Sequence, residues 1–140
     1  MPHYLLNAVP ADASRREQVT ASLRAGMWGV DAGEPHRDAL AVGDLVLVYL
    51  GTPRRELVGR AELVSAVHDW TPEEAQVHPG DAPSGVLLAR VEEWDPPVPM
   101  SAVLSRIESP QARADFEAGV VLITAGEYET ALAVAAERAT

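Results

Sequence analysis

The chain alternates short apolar runs with turn signals, and the spacing of those runs predicts its elements. Residues 4–9 (Tyr-Leu-Leu-Asn-Ala-Val) form an apolar strand that Pro10 stops. Ser14 and Glu17 have capping-box spacing and open a helix; Val19 and Leu23 share one of its faces and Gly26 ends it. Residues 27–43, with Met27-Trp28-Gly29-Val30 and then Pro35-His36-Arg37, read as a loop closed by the Gly43-Asp44 turn. Residues 45–50 are an unbroken apolar run, the pattern of a strand buried on both faces. A hairpin connection over 51–55 leads to a strand over 57–67, in which Arg60 and Glu62 fall on one face and Gly59, Ala61 and Leu63 on the other.

Thr71-Pro72-Glu73-Glu74 has the build of a helix start, with Thr as cap and Pro at the first helical position. Residues 77–85 are rich in turn formers. Residues 86–94 form another strand, and the prolines of 95–99 are expected to carry the chain out of the sheet. Short helices follow over 101–107 and 110–118, then a strand over 120–123. Thr124 and Glu127 make a second capping box, opening a helix to about Arg138 with an apolar stripe at Tyr128, Leu132, Ala135 and Ala136. Hairpin-linked strands dominate the middle of the chain. That order argues for an α+β fold with a curled, mostly antiparallel sheet, not a doubly wound parallel one. No repeat or linker divides residues 1–140, which read as one domain.

Composition narrows the function classes. Cysteine is absent, which excludes a disulfide framework and any thiolate metal site and fits a cytoplasmic location. The N-terminus lacks the build of a signal peptide, and no apolar run is long enough to span a membrane. The net charge is −10, unevenly spread: residues 1–60 hold seven Arg and seven acids, whereas residues 61–140 hold four Arg against fourteen acids. Such a field repels a polyanion at long range, so tight non-specific nucleic-acid binding is not expected; any such contact is local, with the first half the more permissive side.

Enzyme signatures are poor. There is no phosphate-binding glycine loop, no Gly-x-Ser-x-Gly elbow and no His-Glu-x-x-His. His3, His36 and His78 show no ligand spacing around His68-Asp69, so neither a metal nor a cofactor is expected. The adjacent pairs Glu73-Glu74 and Glu92-Glu93 point apart on any regular element and do not make a catalytic dyad. The sequence reads as a binding protein, not an enzyme.

Three tryptophans carry what binding chemistry there is. Trp28, beside Gly29 at the end of the first helix, has two readings: a core plug beneath a loop, or a platform on which a base stacks, with Gly29 leaving room for close approach. Trp70, in the polar setting of His68-Asp69, fits either packing or a pocket rim, and Trp94 fits packing before the prolines. Asn7 presents a donor and an acceptor suited to reading a base edge, or simply ends its strand. Arg37, Arg54, Arg55 and Arg60 lie in the neutral half; Arg37, Arg54 and Arg55 are the candidate phosphate contacts, with solvated charge the plainer role for the turn pair.

Taken in order, the strand Tyr4-Leu5-Leu6, the helix, Gly26-Met27-Trp28-Gly29, the run from Leu40 to Tyr49 with its Gly43-Asp44 turn, Leu57 to Leu63, and the late Phe116…Gly119-Val120-Val121-Leu122-Ile123-Thr124 resemble an EVE domain. EVE domains belong to the PUA-like superfamily and are related to the YTH readers of methylated adenine. The resemblance is firmest over residues 26–64. It implies a PUA-like pseudo-barrel of five or six mostly antiparallel strands flanked by helices, with a pocket that takes up a modified base from DNA or RNA. It further implies that Trp28 forms one wall of that pocket, with Trp70 the nearest match for the second; Asn7 and Tyr49, by their strand positions, are further candidates to border it, and a separately encoded nuclease is a candidate partner. Some PUA-like relatives, of the ASCH type, are amidohydrolases that use a lysine; this sequence has none. The rival readings are a small-molecule or protein-interaction module on the same fold and a hydrolase of modified nucleosides.

Overall fold

In the strand Leu45–Leu50 (β3) alternate side chains enter two different cores, which is why its sequence is apolar throughout. Val46, Val48 and Leu50 join one cluster, and Leu47 and Tyr49 the other. The neighbouring strand His3–Ala8 (β1) divides in the same way, Tyr4, Leu6 and Ala8 against Leu5. The computed structural model describes residues 2–8, 13–51, 54–107 and 119–138. The helix expected over 110–118 and the Pro10 stop lie outside them.

The remaining elements are α1 (Ala13–Ala25), β2 (Met27–Gly29), a 3₁₀ turn (Arg37–Ala39), β4 (Glu56–Leu63), β5 (His68–Asp69), α2 (Pro72–Val77), β6 (Ser84–Pro99), α3 (Met100–Leu104), β7 (Val120–Ile123) and α4 (Ala125–Arg138). The sheet runs β2-β6-β4-β3-β1-β7, with β5 paired to β6. Every pairing is antiparallel except β1 with β3. This is an α+β half-barrel, a curled sheet flanked by helices, as the resemblance implied, with more strands than it counted. The first core fills the concave side and takes Val19 and Leu23 from α1. The second lies beneath α3 and α4 and takes Met100, Val103, Tyr128, Ala131 and Val134.

Local signals explain most boundaries. Thr71 caps α2: its hydroxyl accepts from the Glu74 N–H, and the Glu74 carboxylate accepts from the Thr71 N–H. Thr124 and Glu127 do the same for α4. Gly26 ends α1 at φ +71°, where a residue with a Cβ would be strained.

Several expectations are corrected. Helix α1 starts at Ala13, so Ser14 is inside its first turn and does not cap it. The presumed loop over 27–43 contains β2, which is too short for a periodic signal and exists because Met27, Trp28 and Gly29 pair with Leu87, Val86 and Gly85. The strand expected over 57–67 ends at Leu63. The expected stripe on α4 is rotated: Tyr128, Ala131 and Val134 are buried, whereas Leu132 and Ala135 flank them and Ala136 is exposed. The prolines do not leave the sheet, because Val98 and Pro99 still pair with Leu57 and Glu56. What gives way is the register: residues 94–97 stand opposite Val58 alone. The same irregularity sends Leu57 into the second core while Ala61 and Leu63 enter the first.

Gly59 makes this crossing possible. A Cβ there would lie 2.3 Å from the Glu92 carbonyl oxygen, which is backbone and cannot swing aside. Gly59→Ala is expected to cost about 1–3 kcal/mol of stability, read as a lower urea midpoint with unchanged slope.

Candidate functional site

Where the C-terminal end of β1 faces α1, the barrel does not close on itself. The N–H of Asn7 bonds the Gly119 carbonyl at 2.8 Å, and beyond that bond lies a cavity of about 420 Å³. Helix α1 turns a polar stripe toward it, Arg15, Gln18 and Ser22, spaced by three and four residues, with Val19 beside them. Strand β2 contributes Trp28 and Gly29, and the next loop Asp31 and Glu34. His78, Gly80, Asp81 and Ala82 close the far side, tied to α1 by the Gln18 amide, which donates to the Pro79 carbonyl at 3.3 Å.

The predicted site residues divide into two groups. Trp28, Gly29 and Asn7 are brought together on the cavity. Trp28 is only 8 % exposed and packs into the first core, so it is core plug and cavity wall at once. The space beside Gly29 is taken by the protein's own side chains: a Cβ there would lie 2.8 Å from that of Ala82 and 3.2 Å from the His78 ring. Trp70 does not line the cavity. Its ring lies behind His78, centroids 4.8 Å apart, and its N–H donates to the Ala82 carbonyl at 3.0 Å. His78 therefore occupies the place expected for a second tryptophan wall. Tyr49 is buried in the second core, away from the cavity.

The arginines are also separated. Arg37 is folded inward: its guanidinium donates to the Ser84 hydroxyl at 3.0 Å and lies 3.8 Å from the Asp38 carboxylate. Arg54 and Arg55 are exposed at the β3–β4 hairpin and do not line the cavity. Arg15 does, and the sequence reading missed it. Its signal was available in the Arg15-Gln18-Ser22 stripe, polar residues on one face of an otherwise ordinary helix.

Among the described residues, charge on the lining is lopsided, with the three carboxylates of Asp31, Glu34 and Asp81 against one guanidinium. His78 adds little positive charge near neutrality. Burial pushes its pKa below the ordinary value, against smaller upward pulls from the Gly80 backbone and the Asp81 carboxylate. His68, on the other side of Trp70 with ring centroids 5.5 Å apart, is the opposite case. Its Nδ1–H donates to the Ala66 carbonyl at 3.0 Å and its Nε2 faces the Glu74 carboxylate at 3.0 Å. Both partners only accept, so both bonds form only in the imidazolium, and the His68 pKa is raised, first by Ala66 and then by Glu74. Among the described residues no group of three or more His, Asp or Glu is arranged to hold a metal ion, and no helix is long and apolar enough to cross a membrane.

No family model and no curated protein sequence matches the chain. Solved structures do. Rpa0253 from Rhodopseudomonas palustris superimposes with a TM-score of 0.64 at 20% identity, over 98% of this chain and 94% of that one. Human THYN1, solved in complex with DNA containing 5-methylcytosine, gives 0.61 at 15% identity, over 96% and 98%. ASCH from Zymomonas mobilis gives 0.54 at 13% identity, over 94% of each chain. These likenesses show the fold: this chain shares the PUA-like fold of THYN1 and ASCH.

The two histidines set opposite pH dependences. The stability that His68 contributes is complete below the ordinary value of 6.5 and is lost as pH rises through its raised folded pKa. That of His78 is present above 6.5 and is lost as pH falls through its lowered one. In urea midpoints measured across pH, His68→Gln is expected to flatten the alkaline decline selectively, and His78→Gln the acid decline.

Proposed function

We propose that the chain is a nucleic-acid-binding module of the EVE type that holds a modified base in the cavity beside Trp28 and works by binding, without turnover. The observation that carries the reading is the cavity itself. On the fold in which human THYN1 was solved with 5-methylcytosine DNA, this chain keeps a hollow of about 420 Å³ next to an indole, within the range of small-ligand sites.

A base in a duplex must leave the stack to enter, at a cost of a few kcal/mol. Contact with the Trp28 indole offsets part of that. The edge of the base then meets Asn7, Gln18 and the carboxylates, which accept from exocyclic amino groups such as N4 of cytosine. Arg15, on the lining, joins Arg54 and Arg55 as the phosphate contacts. Arg37 is already engaged with Ser84 and takes a lesser part. Strand cleavage falls to a separately encoded nuclease.

The carboxylate-rich lining favours one second reading, a small-molecule module on the same fold. Thermal stabilisation by a metabolite with no effect of any oligonucleotide selects it.

The test is fluorescence anisotropy with short DNA and RNA oligonucleotides carrying one modified or one plain base, at a fixed salt concentration. Modified oligonucleotides are expected to bind more tightly, and equal binding of the two overturns the reading. Trp28→Ala is a poor probe, since emptying a core position of this size costs about 3–5 kcal/mol. Trp28→Phe keeps an apolar ring in the core and is expected to weaken binding about five- to tenfold.

A further inference from the structure

A second cavity, of about 320 Å³, lies on the opposite core's side of the sheet and, among the described residues, shares no lining residue with the first. It is walled by the stretch of β6 that leaves the ladder opposite Val58, with Trp94, Asp95 and Pro96 on one side and Leu132, Ala135 and Ala136 of α4 on the other. Trp94 is half-buried, and its orientation is fixed: its indole N–H donates to Glu92 Oε1 at 2.9 Å. Glu92 Oε2 is held in turn by the Arg60 guanidinium, at 3.2 Å from both Nε and Nη2. An indole pinned by its own N–H has no further donor to offer, so what it presents to the cavity is ring surface.

The charge around the ring decides what ring surface of this kind accepts. Among the described residues, Glu92, Glu93 and Asp95 line the cavity with Arg60 as the one cation, and that cation is bonded to Glu92. Glu93 pairs, among the described residues, with exposed Arg24, at 3.5 Å. Residues 61–140 also carry all of the excess negative charge. Anions are repelled, and neutral apolar guests gain nothing from the field. We propose that this cavity is a binding site for a small organic cation with an alkylated ammonium head, its charge against Trp94 and beside Asp95 and Glu93, and its alkyl groups against Leu132, Ala135 and Pro96. The pinned indole and the proline wall preorganise the site, so little ordering opposes binding.

Choline and its uncharged isostere 3,3-dimethylbutan-1-ol separate charge from shape. In calorimetric or NMR titrations choline is expected to bind saturably, with the alcohol about tenfold weaker or more. Trp94→Leu is expected to lower choline affinity about tenfold while oligonucleotide binding stays as in the parent. Asp95→Asn, on an exposed position, is expected to lower choline affinity several-fold and to make binding less sensitive to salt. If Trp94→Leu does not fold, the Asp95→Asn and isostere arms decide. Absence of saturable choline binding in the millimolar range, equal binding of the alcohol, or full affinity in the folded Trp94→Leu protein overturns the proposal.

Discussion

Strand β6 has three partners: β2 and β5 at its start and β4 along the rest. No straight strand pairs with all three, because the β4 crossing must turn the chain from one core to the other. The turn is made at Gly59, where the backbones come too close for any side chain, at the four residues of β6 left opposite Val58, and at a second register shift that leaves Arg90 and Val91 opposite Ala61. Both cavities follow from this constraint. The start of β6, held by β2, sets Trp28 at the open end of the barrel, and the residues displaced from the ladder make the wall that carries Trp94.

The site beside Trp28 is polar, acidic and built on a buried indole. That combination sets it apart from an exposed stacking platform. A base entering it would be read by hydrogen-bond acceptors, with ring contact limited to the part of Trp28 that the core leaves uncovered. The negative lining also bears on affinity. On the proposed reading, phosphates would gain little near the cavity mouth except at Arg15, so discrimination between bases would rest on the pocket, with a small electrostatic contribution to binding. Trp70, His68 and His78 form a support behind the lining, and the opposed pKa shifts of the two histidines make that support most stable near neutral pH.

Much of this was legible in the sequence where one local signal decides the outcome. The helix start at Thr71-Pro72, the capping box at Thr124 and the doubly buried run 45–50 are of that kind, whereas the box spacing of Ser14 and Glu17 falls inside a helix; the ordered set of motifs resembling an EVE domain pointed to the PUA-like fold. Other features depend on partners distant in the chain. Three residues of β2 are a strand only because β6 lies beside them, and Val98 and Pro99 stay in the sheet only because Leu57 and Glu56 receive them. Of the residues that line the cavity, Trp28, Gly29 and Asn7 were singled out as candidates in the sequence. His78 was not, because a lone histidine in a turn-rich stretch carries no periodicity, and its role comes from burial between Trp70 and the cavity. Tyr49 was misplaced by a single step of strand parity, which put it in the second core.

The most direct test of the base-binding account follows the three tryptophan indole N–H resonances by NMR as an oligonucleotide containing one 5-methylcytosine is added. The account predicts that the Trp28 signal shifts in proportion to occupancy, with the Trp94 signal unmoved. Saturable binding that leaves the Trp28 signal in place would contradict it.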